Sequence, residues 1–356
     1  VSRPPLTALL WLPLLILPFY VDMFWLQAGL FVMAAAIGAI GLNLLTGSTG
    51  QLSMGHAFFL AVGAYGYVYF AGETSGHVTG LGLPAPVAAV LAVALSGLAG
   101  WAFSPIAGRV SGVYLAIASL ALIFLGQHVL FNLESVTGGY NGRAVPPMKL
   151  FGFAFDDSSE LIVAGVPFGG LERLWYLGIA LLLAAMLFAR GVLGARPGRA
   201  MNLVRDQRIA AAALGVPVGK VRAKAFTLSS MYAGLAGVLL ALTFQRAVPD
   251  YFGMLLALDY LAMIVIGGLG SVGGAVAGAA FVTLLPQLLA RYSGDLPLVA
   301  APGADGISPA VAARYLYGAA VVAVVLFLPT GLSGLLSGRL PGLRRSATPM
   351  KEESPQ

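Results

Sequence analysis

Polar and apolar positions along this chain do not alternate with a period of two. Apolar residues come in runs, separated by short joints rich in glycine or charge. A bilayer crossing needs roughly 20 consecutive apolar residues, and about ten runs approach that length: 6–20, 26–45, 51–71, 84–104, 110–131, 174–189, 225–244, 255–266, 272–289 and 315–328. The pattern predicts an all-α, polytopic membrane protein of about ten transmembrane helices. The first run has Arg3 ahead of it, as a signal peptide would, but no small-x-small cleavage site follows before Asp22, so a retained first helix is expected.

Composition strengthens this picture. Hydrophobic residues make up 59% of the 356 and charged residues only 10%, against roughly 25% charge in a soluble domain. The 47 glycines and 21 prolines would weaken helices in water, but small residues let membrane helices approach closely. With no cysteine in the chain, disulfides, iron–sulfur clusters and thiol nucleophiles are excluded. The net charge of +6 is explained by topology. If 190–224 faces the cytoplasm, alternating the spans puts Arg3, Arg109, the eight basic residues of that segment, Arg339, Arg344, Arg345 and Lys351 inside. Asp22, Glu73, Glu134, Asp156, Asp157, Glu160, Glu172, Asp250, Asp295 and Asp305 then fall outside. The positive-inside rule therefore predicts both termini cytoplasmic, and no nucleic-acid partner is implied. The expected organisation is a transmembrane domain over 1–337, with a cytoplasmic loop at 190–224 and an extracytoplasmic loop at 132–173, followed by a disordered cytoplasmic tail at 338–356.

Two spans are weak in corresponding ways. The run 51–71 contains Gly55, Gly63 and Gly66, and the short run 255–266 leads into Gly267, Gly268, Gly270, Gly273 and Gly274. Paired, glycine-broken segments point to an internal inverted repeat around a central pathway. Gly270, Gly274 and Gly278 recur every four residues, and this spacing predicts a helix-packing face.

Polar residues at membrane depth are costly, which makes them candidates for function. Asn43, Gln51, Ser53, His56 and Asp259 are the pathway candidates, beside Gln127 and His128. Ser53 and His56, three apart, would share a helical face; interhelical hydrogen bonding is the competing reading for both. No basic residue lies deep in a predicted span to grip a carboxylate. A serine–histidine protease is disfavoured because residues three apart on one helix give poor geometry and no third group is evident. In the cytoplasmic segment, 200–214 predicts a single helix stopped by Gly215 and Pro217, carrying Arg205 and Arg208 and suited to docking on a partner or resting on headgroups. None of the four lysines (149, 220, 224 and 351) is followed by Ser or Thr, so no phosphate-binding loop is present.

Four stretches carry a resemblance: GLNLLTGSTGQLSMGHAFFLAVGAY from Gly41, GVYLAIASLALIFLGQHVLFNLESVTGGYN from Gly112, GRAMNLVRDQRIAAAALGVPVGKVRAKAFTLSSMYAGLAGVLLA from Gly198 and IGGLGSVGGAVAGAAFVTLLPQLL from Ile266. Together they resemble the LivM-like permease subunits of branched-chain amino acid ABC importers, over most of 26–328. The pattern departs from the family where Ile209 and Ala210 stand without the glutamate of its coupling helix. The resemblance implies an ATPase-coupling role for Arg205, Arg208, Ala211, Ala212, Leu214 and Gly215. It also implies a second, LivH-like permease subunit, two cytoplasmic ATPases that hold ATP and Mg, an extracytoplasmic binding protein and contact with membrane lipid. This chain would be no enzyme and carry no cofactor of its own. A urea or short-amide permease of the same family and a stand-alone secondary transporter are the alternatives. The absence of cysteine makes the topology testable: a single cysteine at Gln207 should label only from the cytoplasm and one at Ser158 only from outside, and reversed labelling at both would overturn the orientation.

Overall fold

The computed structural model describes residues 13–336 except 111, 151–152, 157–160, 164–165, 294–307 and 328–330. Most of the first predicted span, the tail 338–356, and Asp157, Ser158, Glu160, Asp295 and Asp305 lie outside the described residues. Among the described residues, eleven helices of six or more residues organise the chain: α1 Met23–Thr49, α2 His56–Ala71, α3 Ala85–Arg109, α4 Val113–Asn132, α5 Gly170–Gly194, α6 Arg196–Asp206, α7 Arg208–Ala213, α8 Val218–Phe244, α9 Met254–Gly267, α10 Val272–Arg291 and α11 Pro309–Phe327. Of the described helices, α1, α3, α4, α5, α8 and α10 are long and apolar enough to cross a membrane, and α2, α9 and α11 are shorter apolar helices. The protein is thus all-α and polytopic. The few strands are two or three residues long and form three antiparallel pairs outside the helical bundle.

Helices α1 and α8, each 27 residues and so about 40 Å long, form the centre. Helix α8 packs on α3, α1 and α2, while α1 also packs on α10, α5 and α9. Their burial on nearly every side explains why neither shows an amphipathic stripe: a helix apolar all round belongs in a core. Helix α4 is the opposite case. It touches α2 and the Pro249–Phe252 turn and leaves Tyr114, Ile117, Phe124 and Leu125 exposed.

Glycines set the spacing of the bundle. A Cβ on Gly63 would stand 2.2 Å from the Gly234 carbonyl oxygen, and one on Gly237 would stand 2.0 Å from that of Leu60, so α2 and α8 are in backbone contact. Helices α9 and α10 meet in the same way: Cβ atoms on Gly274 and Gly278 would lie 2.3 Å from the Gly267 oxygen and 1.9 Å from the Met263 oxygen. Gly270 does not continue this face. It precedes α10 and takes φ +83° in the turn that joins it to α9.

Two further sequence expectations need correction. The span expected from 51 begins as a helix only at His56, because 51–55 is irregular; Ser53 and His56 therefore share no helical face. The single helix expected over 200–214 is two, α6 and α7, divided at Gln207, whose backbone is extended (φ −150°, ψ 98°). The glycine stop lies where expected. Gly215 has φ +79°, with Val216 N–H donating to the Ala211 carbonyl and Gly215 N–H to that of Ala212, the Schellman arrangement.

Between α4 and α5 the chain forms a folded cap. Arg143 donates to the carbonyls of Thr79, Val136 and Glu73, and Arg173 donates to those of Ala154, Asp156 and Phe168. The strand Arg143–Ala144 pairs with Arg246–Ala247 after α8. The packing predicts that Gly278→Val, which must displace the Met263 carbonyl, will cost at least the ~1–3 kcal/mol of ordinary overpacking. Gly191→Ala, with nothing within 4 Å, should stay within about 0.5 kcal/mol. Thermal unfolding in detergent compares them, and equal melting temperatures would refute close packing of α9 on α10.

Candidate functional site

Polar side chains inside the bundle spend their hydrogen bonds mainly on backbone carbonyls, several of them where a helix ends or breaks. Asn43, near the last turn of α1, is buried; its Nδ2 donates to the Ser271 carbonyl and its Oδ1 accepts from Gly270 N–H, both at 2.8 Å. It therefore clasps the α9–α10 turn. The N-cap of α10 is completed by Ser271 Oγ accepting from Gly274 N–H. Gln51 is fully buried and its Nε2 donates to Thr49 Oγ1 and to the Arg222 carbonyl. Ser53 is buried in the irregular 51–55 stretch, where its Oγ accepts a long 3.4 Å bond from Gly55 N–H. His56 opens α2, with Nε2 2.9 Å from the Gly38 carbonyl oxygen of α1 and its ring edge-on to Tyr260 of α9. Three helices meet at this point, and a Cβ on Gly38 would lie 2.6 Å from the Tyr260 ring.

The basic segment grips the same end of the bundle. Arg205, in the last turn of α6, donates from Nη1 to the Gly47 carbonyl of α1 at 2.8 Å and from Nε to Asp206. Arg222, buried near the start of α8, donates to the carbonyls of Gly108 and Val110 where α3 ends. Each guanidinium thus supplies donors and positive charge to the C-terminal end of a membrane helix, where carbonyls lack partners and the helix dipole is negative. Beyond them α7 turns Ala211 inward and leaves Ile209, Ala212 and Leu214 uncovered, with Ile209 88% exposed. Arg208 and Gly215 are exposed beside them.

Asp259 differs from every other pathway candidate. It lies about 8 Å along α9 from its start at Met254, and its Oδ1 accepts a short hydrogen bond from the Tyr317 hydroxyl of α11. It also borders two cavities. One, of about 420 Å³, includes Gln127, Asp250, Tyr251 and Arg314 in its lining. The other, of about 340 Å³, is walled by Phe31, Leu240, Phe244, Met263 and Val282, with Thr283, Pro286 and Gln287 on α10. The structure therefore gathers Asn43, Gln51 and the Arg205 clasp at one end of the bundle and sets Asp259 toward the other. Among the described residues no group of three or more His, Cys, Asp or Glu could hold a metal ion.

A family described as "Branched-chain amino acid transport system / permease component" matches residues 26–328. The chain belongs to that permease family. Among similar proteins, LivM of Escherichia coli (strain K12), named a high-affinity branched-chain amino acid transport system permease protein, is 31% identical over 291 residues, 78% of this chain and 66% of its own length. LivH of Salmonella typhimurium (strain LT2), of the same transport system, is 26% identical over 84% of this chain and 91% of its own length. LsrC of Enterobacter sp. (strain 638), named an autoinducer 2 import system permease protein, is 29% identical over 59% of this chain and 58% of its own. The match thus spans just under two thirds of LivM.

Four residues of this permease escaped the sequence reading: Arg222, Arg314, Tyr317 and Pro286. Arg222 had counted only as topological charge, and Arg314 stood just before a predicted span. Pro286 was the one legible signal, since proline inside a helix removes a backbone bond and bends it. Asn43→Leu should leave the Gly270 N–H and the Ser271 carbonyl unpaired, at about 1–3 kcal/mol per orphaned group. The check is the melting temperature of the purified permease, and an unchanged value would mean that the turn holds itself.

Proposed function

We propose that this chain is the permease subunit of an ABC importer that moves branched-chain amino acids inward, working with a LivH-like second permease, two cytoplasmic ATPases and an extracytoplasmic binding protein. ATP and Mg belong to the ATPases. The chain is a conduit and no catalyst, set in the inner membrane with about ten spans and both termini cytoplasmic. The observation that carries the reading is the double arginine clasp. Arg205 and Arg222 tie the basic segment to the ends of α1 and α3, while α7 leaves an apolar, glycine-stopped face uncovered. A partner that pushes on α7 would move α6, and through Arg205 the end of α1 together with the turn that Asn43 holds.

An inverted repeat accounts for the packing. Helices α1, α2 and α3 run long, short, long, as do α8, α9 and α10, and they cross over: α1 packs on α10 while α8 packs on α3. The short members meet at His56 and Tyr260. In this arrangement Asn43, Gln51, Ser53 and His56 frame the pathway by holding its backbone, Asp259 faces it, and Gly274 and Gly278 fix the α9–α10 pair.

Ala212→Glu should put an unpaired charge in the docking face, and Gly215→Val forces a β-branched residue into positive φ, at about 1–2 kcal/mol or more. Arg205→Ala should cut the link to α1. All three variants should insert in the membrane yet lose most binding-protein-stimulated ATP hydrolysis; full stimulation in all three would remove α7 as the coupling element. Uptake by the assembled importer decides the substrate class: leucine, isoleucine and valine should enter, and entry of urea alone would reassign it.

A further inference from the structure

The two cavities that meet at Asp259 differ in chemistry, and the difference matches the two halves of one molecule. The first has carboxylates from Asp250 and Asp259 and a guanidinium from Arg314 on its walls. Both signs of charge around one space of about 420 Å³ complement a zwitterion better than an anion, a cation or a neutral amide. The second, about 340 Å³, is walled mainly by aliphatic and aromatic side chains. Both volumes fall in the usual small-molecule range of about 300–1,000 Å³. Leu256 and Asp259 line both, so a ligand with its charged end in one space can put its side chain in the other.

Three details favour a site over a packing fault. Tyr317 donates to only one oxygen of Asp259, and an ionised carboxylate has about four acceptor positions. Thr283 Oγ1, on the wall of the apolar cavity, is buried without a hydrogen-bond partner; such a group is costly unless something supplies the bond. Pro286, on the same wall, has no N–H, so the Val282 carbonyl one turn earlier loses its helical donor.

We propose that Asp259 and Arg314 form a transient amino-acid site at the end of the bundle away from the basic segment, Asp259 taking the ammonium group, Arg314 the carboxylate, and the apolar cavity between α1, α8, α9 and α10 an unbranched or branched aliphatic side chain. This deepens the importer reading and rests on it for the direction of movement only. Tyr317 is a positioning residue that orients the Asp259 carboxylate.

The test uses the purified full-length chain in lipid nanodiscs, with binding of leucine, leucinamide and 4-methylpentanoate followed by ligand-observed NMR. Leucinamide lacks the carboxylate and 4-methylpentanoate lacks the ammonium. Leucine should bind, and each analogue should bind at least about tenfold more weakly, as expected when a charged hydrogen bond is lost. Asp259→Asn should erase the preference for leucine over 4-methylpentanoate, and Arg314→Gln the preference for leucine over leucinamide. Arg314→Lys should retain most of it, which guards against loss of the fold. Equal binding of all three probes, no binding of leucine, or variants with parental preferences would overturn the site. Uptake by cells lacking this chain separates the two readings: undiminished aliphatic amino acid uptake there would sink the importer reading, whatever the nanodiscs report.

Discussion

Backbone that stops being helical inside a bilayer must find hydrogen bonds within the protein, because no water is there to supply them. This chain breaks its helices repeatedly near one end of the bundle, at 50–55, after Arg109 and at 268–271. Each break is sealed by a polar side chain from elsewhere: Asn43 for the α9–α10 turn, Arg222 for the end of α3, and Ser119, whose Oγ accepts from Met54 N–H, for the approach to α2. Arg205 does the same for the last turn of α1. Since sequence separations in these bonds run from 65 to 228 residues, the seals also fix the tertiary arrangement. Removing one costs an orphaned group and frees the element that it held.

Close packing and sealing are complementary parts of one design. Where glycines bring α2 against α8 and α10 against α9, backbone contact replaces side-chain interdigitation. At the basic end Arg205 joins α6 to α1, and Arg222 joins α8 to the end of α3. At the other end the Arg143 and Arg173 bonds staple the loops onto the bundle. Helix α4 is held by few neighbours in the bundle.

Much of this was legible in the sequence, and the remainder was hidden for physical reasons. Apolar runs located nearly every membrane helix because length and composition decide insertion residue by residue. Gly215 and Pro217 marked the end of α7 for equally local reasons. The start of α2 and the split at Gln207 were not legible, because both are set by partners distant in sequence: Ser119 at the first, and the Arg205 bond to Gly47 beside the second. The roles of Asn43, Gln51 and His56 were open for the same reason. A buried amide has one appearance in a sequence whether it meets a ligand or a carbonyl, and only the fold reveals the carbonyl.

Asp259 and Arg314 also show how charge can be kept at the edge of a membrane without filling the pathway with it. A binding protein that selects its cargo outside leaves the permease little need for affinity, and tight binding of the substrate would slow its release by deepening the well to be climbed. In the site proposed above, one carboxylate and one guanidinium, each already engaged near Tyr317, would supply recognition that is easily exchanged. Helices α9 and α11 carry these charges, and α9 is joined to α10 by the turn that Asn43 clasps and that lies beside Arg205. A displacement of α6 therefore has a continuous covalent and hydrogen-bonded route to Asp259: through Gly47 and Asn43 on α1, across the Gly270 turn, and along α9. The rigidity that glycine packing gives the α9–α10 pair is what would let a push at one end be felt by a carboxylate at the other.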